Sequence, residues 1–244
     1  MMRDELAAVA GPVLAEIKEH PFWAGLRDGT LPPASLWYFA EQDARYVVPA
    51  YARAMARCAA LAGHDAHGAL LASAASATFG SLPRLAAELA GLAAELGRPG
   101  DAPATQGPAI HGYTSFMLAA PAASFAGGVG GLLPMTWFHL TVSGDLRDRC
   151  APDSRYAGWI EQYCPWDGYR DYVETYLALV DEVGAECSAG ERAELVRQFL
   201  LAARHEWSFA EAAWRRQRWG VEEAAGGARL EHASSGPHHT RAYG

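Results

Sequence analysis

Apolar residues recur at intervals of three and four along most of the chain, beginning with Leu6, Val9, Val13 and Ile17, the spacing that gives a helix one buried face. A first helix is predicted to end near His20-Pro21, because proline restrains the residue before it. A second, longer one starts at about Pro32-Pro33 and carries Leu36, Phe39, Asp43, Tyr46, Val47, Ala50 and Ala54 on one side, with a kink expected at Pro49. Two alanine-rich helices are predicted at about 65–79 and 82–96, the latter closed by Gly97 and Pro99. Residues 98–108 read as a loop, and helical spacing resumes over 109–123, about 131–149, 155–163, 167–186 and 189–218. The FAGGVGG stretch before residue 131 lacks the preceding strand and the Gly-Lys-Ser/Thr ending of a phosphate cradle, so it reads as small residues that let helices approach closely. Alternating runs closed by tight turns are scarce. The expectation is all-α: one helical domain over 1–219, then a disordered tail over 220–244 where periodicity is lost.

Composition narrows the function classes. Apolar residues make up 50% and charged residues 20% of the 244 positions, the profile of a folded globular chain. Twenty Lys and Arg against 28 Asp and Glu leave a net charge of −8, which disfavours a nucleic-acid partner. Cys58, Cys150, Cys164 and Cys187 form none of the close pairs of zinc or redox motifs, so free thiols are expected. The first twenty residues mix both charge signs into their apolar positions and do not read as a signal peptide, and no stretch approaches about 18 consecutive apolar residues. These features predict a cytoplasmic protein without a membrane partner.

Candidate chemistry lies where polar residues fall on buried stripes, since burial there must be offset by hydrogen bonds or by a ligand. Asp43 sits four residues after Phe39 and three before Tyr46, among core-facing positions. Glu206 shares a helical face with Leu195, Phe199, Ala202, Phe209 and Ala213. Each carboxylate fits either a salt bridge to an arginine or a ligand site, and two inward carboxylates in different environments can supply an acid and an acceptor near neutral pH. Met135 and His139 lie one turn apart in LPMTWFHL, where His139 fits either a satisfied core residue or a site residue. Tyr46, Tyr113 and Tyr163 each offer a ring for stacking and a hydroxyl for hydrogen bonding. His64, His67, His139 and His205 are conceivable metal ligands, but His205 and Glu206 point about 100° apart on a helix and no Glu-x-x-His pair is present. No metal and no cofactor are expected. The His238-His239 pair in the tail reads as solvated.

The run HPFWAGLRDGTLPPASLWYFAEQDARYV, residues 20–47, resembles the N-terminal signature of the TenA family (thiaminase II): a proline-aromatic pair, a Gly-Thr-Leu turn and a Gln-Asp pair at this spacing. Weaker matches follow at AIHGYTSFM (109–117), GLLPMTWFHL (131–140) and HEWSFAEAAW (205–214), so the resemblance reaches about residue 219. It implies a haem-oxygenase-like bundle, usually a homotetramer, that hydrolyses thiamine or its aminopyrimidine breakdown products in a salvage route. It also implies that Asp43 holds the amino group and adjacent ring nitrogen of the pyrimidine, that Tyr46, Tyr113 and Tyr163 are pocket aromatics, and that Glu206 handles the proton on the opposite ring nitrogen.

One departure matters. In the main branch of that family a nucleophilic cysteine follows Leu-Pro, with a tyrosine four residues later. Here Met135 and His139 take those two positions. A thioether forms no thiolate adduct, so water must be the nucleophile in any hydrolysis, with Glu206 as general acid/base and His139 assisting. Another branch lacks the cysteine and relies on glutamates. The sequence reading is therefore an aminopyrimidine hydrolase without a cysteine nucleophile. Its alternatives are a pyrimidine-binding or regulatory protein that has lost the chemistry, and a metal-dependent oxidase on the same scaffold.

Overall fold

A computed structural model describes residues 1–98 and 104–220. Among them the chain is helical, with no strand: α1 (Met2–Lys18), α2 (Pro21–Arg27), α3 (Pro33–Gln42), a π turn (Asp43–Val47), α4 (Val48–Ala60), α5 (Asp65–Glu95), α6 (Pro108–Ala123), α7 (Phe125–Arg149), α8 (Ala157–Tyr163), α9 (Tyr169–Glu186) and α10 (Ala189–Arg215). One apolar core runs through the bundle from Leu6 and Phe22 to Leu133, Val180 and Phe199. The expected tail and the His238-His239 pair lie outside the described residues, as does part of the expected loop at 98–108.

Helix α2 is an element that periodicity alone did not reveal. His20 caps it by accepting a hydrogen bond at Nδ1 from the Phe22 N–H at 3.1 Å, and Pro21 occupies the first turn, where a missing N–H costs nothing. The other ring nitrogen of His20, 3.1 Å from Glu211, ties α2 to α10. After α2 the chain turns sharply: Gly29 takes φ +79°, and a Cβ on Gly25 would meet the Leu31 backbone at 3.0 Å. The buried Leu31 presents its carbonyl to Arg155 Nη2 at 2.7 Å, which fixes the entry to α8.

Two expectations are corrected. The alanine-rich region is one helix, α5, with Pro83 inside it rather than two helices. The Ser81 hydroxyl donates to the Thr78 carbonyl at 2.8 Å, and Gly80 leaves open space in the turn before the proline, so the helix passes through. The FAGGVGG stretch is the start of α7 itself, capped by Ser124, whose Oγ accepts from the Gly127 N–H at 3.0 Å. Its small residues do allow close approach: a Cβ on Gly130 would lie 2.4 Å from the Leu195 carbonyl oxygen on α10.

The deviation expected at Pro49 takes a defined form. Proline lacks the N–H of an α-helical bond, and its ring would collide with the carbonyl of Arg45. The preceding turn widens instead, so that the Val48 N–H bonds the Asp43 carbonyl five residues back. That π turn carries Asp43.

Candidate active site

Helices α3, α5, α7, α8 and α10 surround a cavity of about 1150 Å³, above the upper end of ordinary small-molecule pockets, about 1,000 Å³. Asp43 from the π turn and Glu206 from α10 both line it, brought together because α3 packs along α10, where the Ser35 hydroxyl bonds the Trp214 carbonyl at 3.2 Å. Neither carboxyl is paired with an arginine or lysine among the described residues, so the salt-bridge alternative is set aside.

Aromatic rings form the walls. Phe39 stacks on Phe209 with centroids 4.7 Å apart and planes 17° from parallel, and Tyr163 stacks on Trp159 at 4.8 Å and 13°. Trp23 leans on Tyr163 at 5.8 Å. Phe39 precedes Asp43 by one turn and Phe209 follows Glu206 by three residues, so the two sequence stripes deliver ring and carboxyl together. Trp23 and Trp159 were not expected here. The signal for Trp23 was the aromatic pair after Pro21, while Trp159 lay in the helix expected at 155–163 with nothing local to show which way it faced.

Burial dominates the electrostatics. Desolvation lifts the Asp43 carboxyl to about 7. Glu206 also rises to about 7, through burial first, opposed by a hydrogen bond donated by the Tyr113 hydroxyl and reinforced by the Asp43 charge. Two carboxyls thus titrate near neutrality in one chamber, where each can hold or release a proton. The Tyr113 hydroxyl is itself held far above the ordinary tyrosine range by burial and by Glu206. Its ring is sandwiched from one side by His205, with centroids 5.2 Å apart and planes 7° from parallel.

The other expected site residues divide. Met135, His139 and Tyr163 line the cavity. His139 stands edge-on to Tyr163 at 4.7 Å and 89°, and burial drops its imidazole to about 4, so the ring is neutral at pH 7. Tyr113 lies behind Glu206 and reaches the site through it. Tyr46 does not line the cavity: its hydroxyl donates to the Ala104 carbonyl at 2.8 Å, and it serves the segment 104–107. Val47, the next position, does line the cavity, so what draws Tyr46 aside is its own hydroxyl bond to the Ala104 carbonyl. Gln42, quoted in the Gln-Asp pair but given no role there, holds the same segment with both ends of its amide.

His64 pairs with Glu186 and His67 with Glu182 on the far side of the bundle, and the described residues contain no group of three His, Cys, Asp or Glu arranged to hold a metal ion. The four cysteines are unbridged, and no helix among the described residues is long and apolar enough to cross a membrane.

Comparison with known proteins agrees with this architecture. The chain is 29% identical over 202 residues to the aminopyrimidine aminohydrolase of Bacillus subtilis, covering 82% of this chain and 84% of that one. It is 28% identical over 217 residues to the aminopyrimidine aminohydrolase of Halalkalibacterium halodurans, covering 86% and 94%. In three dimensions it superposes on a TenA homologue from Pyrococcus furiosus with a TM-score of 0.76 at 18% identity, covering 87% of this chain and 100% of the other. The profile of the TENA/THI-4/PQQC family matches residues 10–216, and the chain belongs to that family.

Proposed function

We propose that this protein hydrolyses thiamine-derived aminopyrimidines in a salvage role. The observation that carries the reading is the pair Asp43 and Glu206: two carboxyls with no basic partner among the described residues, both lifted to about 7, facing one aromatic-walled cavity. An aminopyrimidine presents an amino donor beside a ring nitrogen, and a single carboxyl complements that edge by accepting from the amino group while sharing a proton with the nitrogen. Glu206, on a different element, is assigned to the opposite ring nitrogen. A proton placed there withdraws electrons from the ring and weakens the bond between its exocyclic methylene carbon and the leaving group. Phe39, Phe209 and Tyr163 supply the stacking surface. Two relatives named aminopyrimidine aminohydrolases, matched over most of their length, support the same chemistry.

Met135 lines the cavity where the resemblance expects a thiol, and its thioether has no proton to lose. In this reading water attacks the methylene carbon: a C–O bond forms, the C–N bond to the leaving group breaks, and no covalent enzyme intermediate intervenes. Met135 also motivates a second reading, a pocket that binds an aminopyrimidine without turning it over. Calorimetric titration with an aminomethyl-aminopyrimidine, with ammonia measured on the same sample, separates the two. Binding with ammonia release supports the hydrolase, binding alone supports the second reading, and absence of binding removes both.

A homotetramer in the cytoplasm completes the proposal. The exposed Leu61, Phe79 and Trp166 offer apolar surface for such an assembly, and light scattering should give four times the chain mass of 26.2 kDa.

A further inference from the structure

We infer that His139 accepts a proton from the attacking water and passes it to the departing nitrogen, acting as the single proton shuttle of the reaction. The inference rests on the hydrolase reading above and adds the group that reading lacks. Asp43 is committed to the amino edge of the ring and Glu206 to the opposite nitrogen, so neither is free to take a proton from water at the methylene carbon.

Among the described residues that line the cavity, His139 is the one imidazole. Of the charged side chains farther along the wall, Arg84 pairs with Glu88 at 2.5 Å and Arg155 donates to the Leu31 carbonyl, while Glu95 stands at the C-terminal end of α5. Cys164 points its thiol at the Ser143 carbonyl, 3.4 Å away. Neither ring nitrogen of His139 meets a hydrogen-bond partner among the described residues, and neither is sealed from the cavity. The contrast with His20, His64 and His67 is direct, since each of those holds a glutamate.

Position and orientation are fixed from two sides. His139 follows Met135 by one helical turn, so both side chains leave α7 on the cavity face. The imidazole stands perpendicular to two rings, Tyr163 at 4.7 Å and 89° and Tyr169 at 5.5 Å and 90°. Tyr163 is in turn close enough to Asp43 and Glu206 for both charges to oppose its ionisation. A braced, unpartnered imidazole on the wall of the cavity that also holds the carboxyl pair, joined to them through Tyr163, has a free lone pair for one proton.

The balance closes. Water gives its oxygen to the methylene carbon and one proton to His139, the C–N bond breaks with its electron pair going to nitrogen, and His139 returns that proton to the nitrogen as it leaves. Burial destabilises the protonated ring, so the proton it takes from water is readily passed on to the departing nitrogen, and Met135 offers no competing proton.

The test uses the full chain, an aminomethyl-aminopyrimidine, and the variants His139→Gln and His139→Ala. Because the ring has no hydrogen-bond partner, glutamine orphans nothing and should fold. The expected result for His139→Gln is a fall in kcat of about 10²- to 10⁴-fold with the dissociation constant for the pyrimidine unchanged. In His139→Ala, free imidazole added to the solution should restore ammonia release in proportion to its concentration. A His139→Gln enzyme with wild-type kcat, or an alanine variant that binds the pyrimidine and ignores imidazole, would overturn the assignment. A wild-type protein that binds the pyrimidine and releases no ammonia would instead overturn the hydrolase reading, and the shuttle with it.

Discussion

Gln42 and Asp43 are consecutive residues that serve opposite sides of one helical junction. The Gln42 amide is fully buried, donates to the Thr105 carbonyl at 3.1 Å and accepts from the Gly107 N–H at 2.9 Å, while Asp43 faces the cavity. The position of the carboxyl is thereby locked to the segment that leads into α6. Gln42→Ala should cost about 1 to 3 kcal/mol, because it strands the buried Gly107 N–H. Urea unfolding measures this directly, and a stability equal to wild type would show that water replaces the amide without penalty.

Asp43→Ala should weaken binding of an aminopyrimidine by about 1.5 to 3 kcal/mol, the range for hydrogen bonds to a charged group. Titration calorimetry on a variant with an unchanged far-ultraviolet spectrum checks it. Equal affinity would remove Asp43 from the recognition edge.

The same carboxyl makes stability depend on pH in a stated direction. Its folded value, about 7, lies above the unfolded one near 4, so the folded state holds the extra proton between those limits and loses stability as pH rises through them. Asp43→Asn should therefore gain nothing at pH 4, gain progressively up to pH 7, and stay level above it. The ceiling from proton linkage is about 4 kcal/mol, less the cost of burying the amide. Thermal unfolding at pH 4 and pH 8 tests this, and an identical change at both would contradict the shift.

Tyr113→Phe removes the hydroxyl that stabilises the ionised form of Glu206. The Glu206 carboxyl should then stay protonated to higher pH, and the alkaline limb of turnover should move upward. A limb that stays in place or moves down would show that Tyr113 does not act through Glu206.

Much of this was legible from residues alone, for identifiable reasons. Asp43 and Glu206 stood out because a carboxylate on an apolar stripe is costly, and the neighbouring Phe39 and Phe209 lay on the same stripes. Most helices followed from period, but α2 did not, and the joints expected at 80–81 and before residue 131 fall inside α5 and α7. Tyr46 holds the Ala104 carbonyl, a partner 58 positions away that has no local signature in the sequence. The break expected at 80–81 does not form, and the Ser81 hydroxyl bond to the Thr78 carbonyl that accompanies the continuous turn has no signature in the sequence. The partnership of Tyr113 with Glu206 joins residues 93 positions apart and had no local signature.

The central claim is that an aminopyrimidine is hydrolysed here by water without a covalent enzyme intermediate. Its most direct test is intact-mass spectrometry of the wild-type chain quenched during turnover of an aminomethyl-aminopyrimidine, with ammonia measured in parallel and Met135→Cys as the comparison. The account predicts ammonia release by a wild-type chain of unmodified mass, and a pyrimidine adduct in the cysteine variant alone. A wild-type chain carrying the mass of the pyrimidine, or one that binds it and releases no ammonia, would contradict the account.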